Sequence, residues 1–193
     1  MSNLATPTPT AAPPAGTRLS VVEYLAAYDA GLWPDDAPEL IDTTLAEPMP
    51  LPDPPHDFAV EQIVALLVAL LPDGWFVRQE KSLRLSTSVV GPDVMVVRGH
   101  RRDYRERMPA AADVALVVEV AHTSQTRDRQ KARIYARDGI ASYLLVDLTA
   151  GTLTHHTDPT ADGYATVAEV DAAPVVIDGE PVGTLAAGDI LTD

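Results

Sequence analysis

The chain has 193 residues, 46% of them hydrophobic, no cysteine, and a formal net charge of −14. That length and apolar content fit one domain with a real core, while the lack of cysteine excludes disulfides and thiolate zinc sites and fits a reducing cytoplasm. The acidic balance opposes extended non-specific binding to nucleic acid, but it does not exclude a nuclease, whose active-site acids need bound cations anyway.

Residues 1 to about 17, rich in Pro, Thr and Ala, predict a flexible tail, and they lack the charged and apolar regions of a secretory signal. Order is expected from Ser20, where Ser20 and Glu23 stand in capping-box spacing ahead of a helix that Gly31 can end. "PELIDTTLAEPMP" reads as a short strand or turn pair running into a Pro-rich loop. "PHDFAVEQIVALLVALLPDG" is the strongest helix, with Asp57 as its expected cap, and it is apolar nearly all round, as suits a core. Its apolar stretch, around Ile63 to Leu71, is too short to span a bilayer, so a soluble cytoplasmic protein is expected.

From Trp75 the pattern becomes strand-like. "WFVRQEKSLRLST" alternates in places and predicts a bent strand. "PDVMVV" and "DVALVVEV" are Val-rich runs of strand length, as expected of central strands covered on both faces. "RDRQKARIYARDG" predicts a helix with Ala132, Tyr135 and Ala136 on one face and Gly139 as its stop. "ASYLLVDL" is another buried-type strand, and "GTLTHHT", "GYATVAEV" and "APVVIDGEPVGTL" predict short antiparallel strands. His155 and His156 are adjacent, so on a strand they point to opposite faces and read as surface residues rather than a metal pair. The whole is a mixed α/β (α+β) fold, a central mixed β-sheet flanked by helices, with an antiparallel β-rich extension over residues 151–193. Residues 18–193 are expected to form one domain.

Two acids interrupt the Val-rich runs, Asp93 at the start of one and Glu119 inside the other. A carboxylate among valines is costly to bury without a metal, a cation or a proton as partner. Residues 98–112 are long enough to join the two strands as a hairpin, which would bring the acids together. Magnesium takes oxygen ligands and keeps several waters, so two protein carboxylates suffice to hold it. Lys131, on the following helix, has the reach to assist an attacking water. Such a set suits phosphodiester hydrolysis. Arg98, Arg101, Arg102 and Arg105, in "RGHRRDYRERMP", form a candidate DNA-contacting patch, although charge runs are more often solvated faces.

"ELID" at Glu39 to Asp42, "PDVMVV", "LVVEV" at Leu116 to Val120, and "RDRQKARIYARDGIASYLLVD" together resemble the Uma-two family of restriction-endonuclease-like proteins, within the PD-(D/E)XK nuclease superfamily. The resemblance covers most of the chain from about Ser20. It implies a nuclease-like core with Asp93 and Glu119 as metal ligands, magnesium or alternatively manganese as the ion, and DNA as substrate. It also implies an early acid in the site, for which Glu39 is the candidate and Glu61 a weaker one. The superfamily's Lys two residues after the strand acid is Ala121 here, with Lys131 standing in from the helix. The family's usual Gly after "ELID" is Thr43, and its Ser-Pro-Ser segment is replaced by "AHTSQT", beside which His122 falls. His56, before the long helix, would cap it or border the site. A homodimer, paired through edges of the β-rich tail, is expected. The rival readings are an inactive nuclease-fold assembly module and a hydrolase of small phosphodiesters or nucleotides.

Overall fold

The computed structural model describes residues 11–33, 37–47, 53–121 and 125–191. Residues 1–10 of the expected tail, His122 and the middle of "AHTSQT" lie outside them. In chain order the elements are α1 (Val21–Asp29), β1 (Leu40–Ile41), β2 (Thr44–Leu45), α2 (Pro54–Leu70), β3 (Trp75–Gln79), β4 (Leu83–Arg84), β5 (Val89–Val90) and β6 (Val94–Arg98). After a 3-10 turn at Arg101–Tyr104 come β7 (Val114–Ala121), α3 (Gln125–Arg137), β8 (Ser142–Asp147), β9 (Thr152–Thr160), β10 (Gly163–Val170), β11 (Ala172–Ile177), β12 (Glu180–Ala186) and α4 (Ala187–Ile190).

Six strands form the central sheet in the order β10-β9-β8-β7-β6-β3. Its pairs are antiparallel except β7 with β8, which run parallel because α3 carries the chain across between them. Strand alternation sends Val94, Val96, Val118 and Val120 to one face, where they meet Ile63 and Leu67 of α2 and Val175 and Leu185 of the β11–β12 hairpin. Met95, Val97 and Val117 point to the other face, against Ile134 and Tyr135 of α3. Burial on both faces is the reason these strands are unbroken runs of valine rather than alternating sequences.

A second, small sheet has the order β2-β1-β5-β4, with α1 packed against it through Val21 and Tyr24. The expected strand "WFVRQEKSLRLST" is divided between the two sheets. Glu80, in left-handed conformation at φ 49°, breaks the run, so β3 joins the central sheet and β4 the small one. The β1–β2 turn places Asp42 at φ 47° and Thr43 at φ 63°. This region favours glycine and costs other residues about 1–2 kcal/mol. Tethers hold the turn there: Thr43 N–H donates to Thr87 O (2.8 Å), Leu19 N–H to Thr43 O (2.8 Å), and Arg18 to the Thr43 hydroxyl (3.1 Å). Gly16 N–H also donates to Leu45 O (2.8 Å), so contacts with the small sheet begin before Ser20.

The capping box of α1 is complete, Glu23 N–H donating to Ser20 Oγ and Ser20 N–H to Glu23 Oε2. The cap of α2 is Asp53 rather than Asp57: its Oδ1 accepts His56 N–H at 3.1 Å, and Asp57 sits within the first turn. Pro54 and Pro55 suit the first helical positions, which moves the helix start upstream. His155 and His156 do point opposite ways, but His155 is buried and His156 half-buried. Their strand lies inside the sheet, with His155 buried 2.8 Å from Ser142 Oγ and His156 packed on the rings of Tyr143 and Tyr164. Among the described residues no helix is long and apolar enough to cross a membrane.

Ile63 is wholly buried between α2 and the sheet, whereas Val68, on the same helix, is 62% exposed. Ile63→Ala is expected to destabilise the fold by about 2–5 kcal/mol and Val68→Ala to change it by less than about 0.5 kcal/mol. Urea midpoints at unchanged slope would measure both.

Candidate active site

The ladder between β6 and β7 pairs Val94 with Val118, so one step further Asp93 lies opposite Glu119. Residues opposed in an antiparallel pair share a face, and Glu119, in phase with Val117, points to the α3 side. Asp93 stands where β6 begins, and its Oδ2 accepts the Val120 backbone N–H at 2.7 Å. That bond pins the Asp93 carboxylate to β7, beside Glu119.

Glu119 is buried at 5% exposure and Lys131 at 4%. Lys131 Nζ lies 3.0 Å from Glu119 Oε1 and 3.0 Å from Glu39 Oε1. One ammonium is therefore shared by two carboxylates that come from different sheets. Tyr135, one turn beyond Lys131 on the same face of α3, donates its hydroxyl to Glu119 Oε1 at 2.6 Å. Glu39, immediately before β1, also accepts the Gly91 backbone N–H at 2.9 Å, two residues ahead of Asp93. Its other oxygen, Oε2, is buried without a hydrogen bond and has Arg127 Nε at 3.7 Å. His56 completes the rim from the first turn of α2, with Nε2 3.4 Å from Asp93 Oδ2.

The electrostatics follow from burial. Desolvation pushes the Glu119 carboxyl up to about 8, against the pull of the Lys131 ammonium, and the charges of Asp93 and Glu39 add to the push. Lys131 moves up from its ordinary value: its carboxylate neighbours outweigh the burial that would lower it. Burial and the Glu119 charge raise Tyr135 well above its ordinary value, so its hydroxyl stays protonated as a donor. The hydrogen bond to Asp93 raises His56, which favours the imidazolium.

Asp93, Glu119, Lys131 and Glu39 thus meet in one cluster. Glu61 does not join it, being exposed on α2. Ala121 ends β7 as a buried residue, and the amine comes from α3 instead. Arg98, Arg101, Arg102 and Arg105 are elsewhere. They follow the C-terminal end of β6, whereas Asp93 precedes its N-terminal end, a separation of about 17 Å for five residues of strand. Arg98 is already bonded to Asp178 Oδ1 (2.5 Å) and stacked on Trp75, while Arg101, Arg102 and Arg105 are exposed. In the sequence Tyr135 reads only as packing, and Arg127 carries no signal of a role. The spacing of Tyr135 four residues after Lys131 is the signal that could have marked it.

The donor set is all carboxylate oxygen apart from the His56 ring, which suits a hard divalent cation. Among the described residues no three acids or histidines are arranged to hold an ion by themselves. A magnesium-type ion needs only one or two carboxylates, since waters complete its shell. Glu39 Oε2, buried and without a hydrogen bond, leaves an acceptor open at this place, as an oxygen-liganded ion would use.

The fold resembles the crystal structure of a "putative nuclease belonging to DUF820" from Anabaena variabilis ATCC 29413, with a TM-score of 0.65 and 16% sequence identity over 90% of this chain and 98% of that one. A comparison with curated proteins finds no match. The model of the family described as "Uma2: Putative restriction endonuclease" matches residues 21–185, most of the sequence, and on that match the chain belongs to the Uma2 family.

Proposed function

We propose that this protein is a metal-dependent endonuclease that hydrolyses phosphodiester bonds of DNA, with Asp93 and Glu119 as the protein ligands of a magnesium ion. The observation that carries the reading is the buried Lys131 amine held 3.0 Å from both Glu119 and Glu39, beside Asp93. A cluster of three acids around one desolvated amine is costly as mere packing. It is economical as a site that meets a cation and a phosphate.

When bound, the ion would lower the pKa of a water and neutralise charge on the phosphate. The remaining tasks fall to the chain. Water attacks phosphorus, the bond to the leaving oxygen breaks, and a proton reaches that oxygen. Lys131 Nζ is placed to orient the attacking water and to stabilise negative charge as it develops. Glu39 fixes the amine from the opposite side and is itself fixed by Gly91 N–H. Tyr135 holds the Glu119 carboxyl from α3, and Val120 N–H holds the Asp93 carboxylate from β7. The net charge of −14 favours a second reading, hydrolysis of small phosphodiesters, which suffer less repulsion than a duplex.

Plasmid cleavage with and without magnesium tests the assignment. Wild type should nick DNA only with the ion, and Lys131→Met should lose about 10²–10³-fold in rate. Magnesium should raise the melting temperature of wild type and not of Glu119→Ala. Equal behaviour of wild type and Glu119→Ala in both assays would end the reading.

The raised Glu119 pKa fixes the sign of the pH dependence. In the ion-free native state the group keeps its proton up to about 8, whereas in the unfolded chain it releases it near 4.5. Native protein then binds more protons, so the contribution of Glu119 to stability falls as pH rises from about 4.5 to about 8. Glu119→Gln should flatten that decline in denaturant titrations. Ion-induced stabilisation, in contrast, should grow over the same range as the proton ceases to compete.

A further inference from the structure

A groove of about 900 Å³ runs between the β1–β2 turn and the outer face of α3. Arg18, Arg127, Arg133 and Arg137 line it, four of the 14 basic residues of a chain whose net charge is −14. Among the described lining residues the acids are Asp42 and Glu47. Arg137 bonds to Asp42 at 3.0 Å, while Arg18 and Arg133 reach solvent. Arg127 belongs to the groove and to the site together. It donates to Glu47 O at 3.0 Å, and its Nε lies 3.7 Å from Glu39 Oε2, on the carboxylate that holds Lys131.

The geometry points to this groove as the track for the sugar–phosphate backbone of a nucleic-acid strand entering the Lys131 site. The inference rests on the nuclease reading above and adds where the substrate lies. Arg127 and Arg137 are ten residues apart on α3, about 15 Å of helix. That length exceeds the about 3.4 Å of duplex axis that separates successive phosphates of a strand, and it reaches more than one phosphate along the backbone itself, so the groove suits a polyanion rather than a single phosphate. Its floor is aliphatic, with Ile41, Leu45 and Ile134, and among the described residues no aromatic ring lines it on which a base could stack. Contacts there should therefore go to phosphates and read no sequence. The Arg101–Arg105 segment is the natural rival. It lies a strand's length from Asp93, and Arg98 beside it is engaged by Asp178.

Binding of a fluorescein-labelled DNA duplex, measured by anisotropy in EDTA over a range of salt, separates the two surfaces. Arg18→Glu with Arg133→Glu should weaken binding at least tenfold at low salt. It should also reduce the slope of log Kd against log salt by about 1.8, at about 0.9 for each phosphate no longer neutralised by an arginine. Arg18→Gln with Arg133→Gln should give the same slope change with a smaller drop in affinity, at an unchanged melting temperature. Arg101→Glu with Arg102→Glu should stay within twofold of wild type. The inference is overturned if the loop variant loses binding while the groove variants keep it, or if wild type does not bind the duplex. Equal displacement of the duplex by a mononucleotide at the same phosphate concentration would also overturn it. Plasmid cleavage that survives Glu119→Ala would instead sink the nuclease reading and leave the groove result standing.

Discussion

The structure depends on one buried positive charge. The Lys131 ammonium has almost no access to solvent and lies 3.0 Å from a carboxylate on each of two sheets. Removing Glu39 would take away a buried partner of that charge, a loss that low dielectric makes expensive. The amine therefore ties β1, β7 and α3, three segments far apart in the chain, to one point. Around this point the backbone is aligned for the same purpose. Gly91 N–H holds Glu39 and Val120 N–H holds Asp93, so neither acid depends on its rotamer alone.

Much of this was legible in the sequence because it was written in violations of pattern. Asp93 and Glu119 stood out as acids in runs that should be apolar, and the antiparallel register of β6 and β7 follows from a hairpin between two valine-rich strands. Glu39 came through family likeness, since a charge before a two-residue strand carries no periodic signal of its own. Less legible was anything set by tertiary neighbours. His155 and His156 alternate as a strand demands, but burial on both faces depends on β10 and the flanking layers, which no local window contains. The division of β3 from β4 turns on the left-handed Glu80, a residue type with no preference for that conformation. Asp57 looked like a cap because it precedes the hydrophobic run, whereas Asp53, ahead of two prolines, is the residue with its side chain on a free N–H. The arginine-rich segment stands out by composition, yet the arginine that touches the site is Arg127 on α3, where it reads as part of an ordinary solvated face.

A chain this acidic confronts a polyanion with repulsion over most of its surface. Local arrangement can outweigh that average, because screening in physiological salt confines each charge to about 8 Å. Arginines on α3 and Arg18 concentrate positive potential along one groove beside the acid cluster. Acidic surroundings then narrow the places where a phosphate chain can rest.

The β1–β2 turn has a dynamic corollary. Thr43 holds a left-handed backbone conformation that a branched side chain resists, and the turn closes only two residues of strand on each side. This hairpin should consequently open at lower free energy than the six-stranded sheet, and its amides should exchange with solvent sooner. Because Glu39 stands at its base, each such opening would loosen one of the acids around Lys131. One wall of the site, formed by β6 and β7, is then expected to stay closed while the other opens.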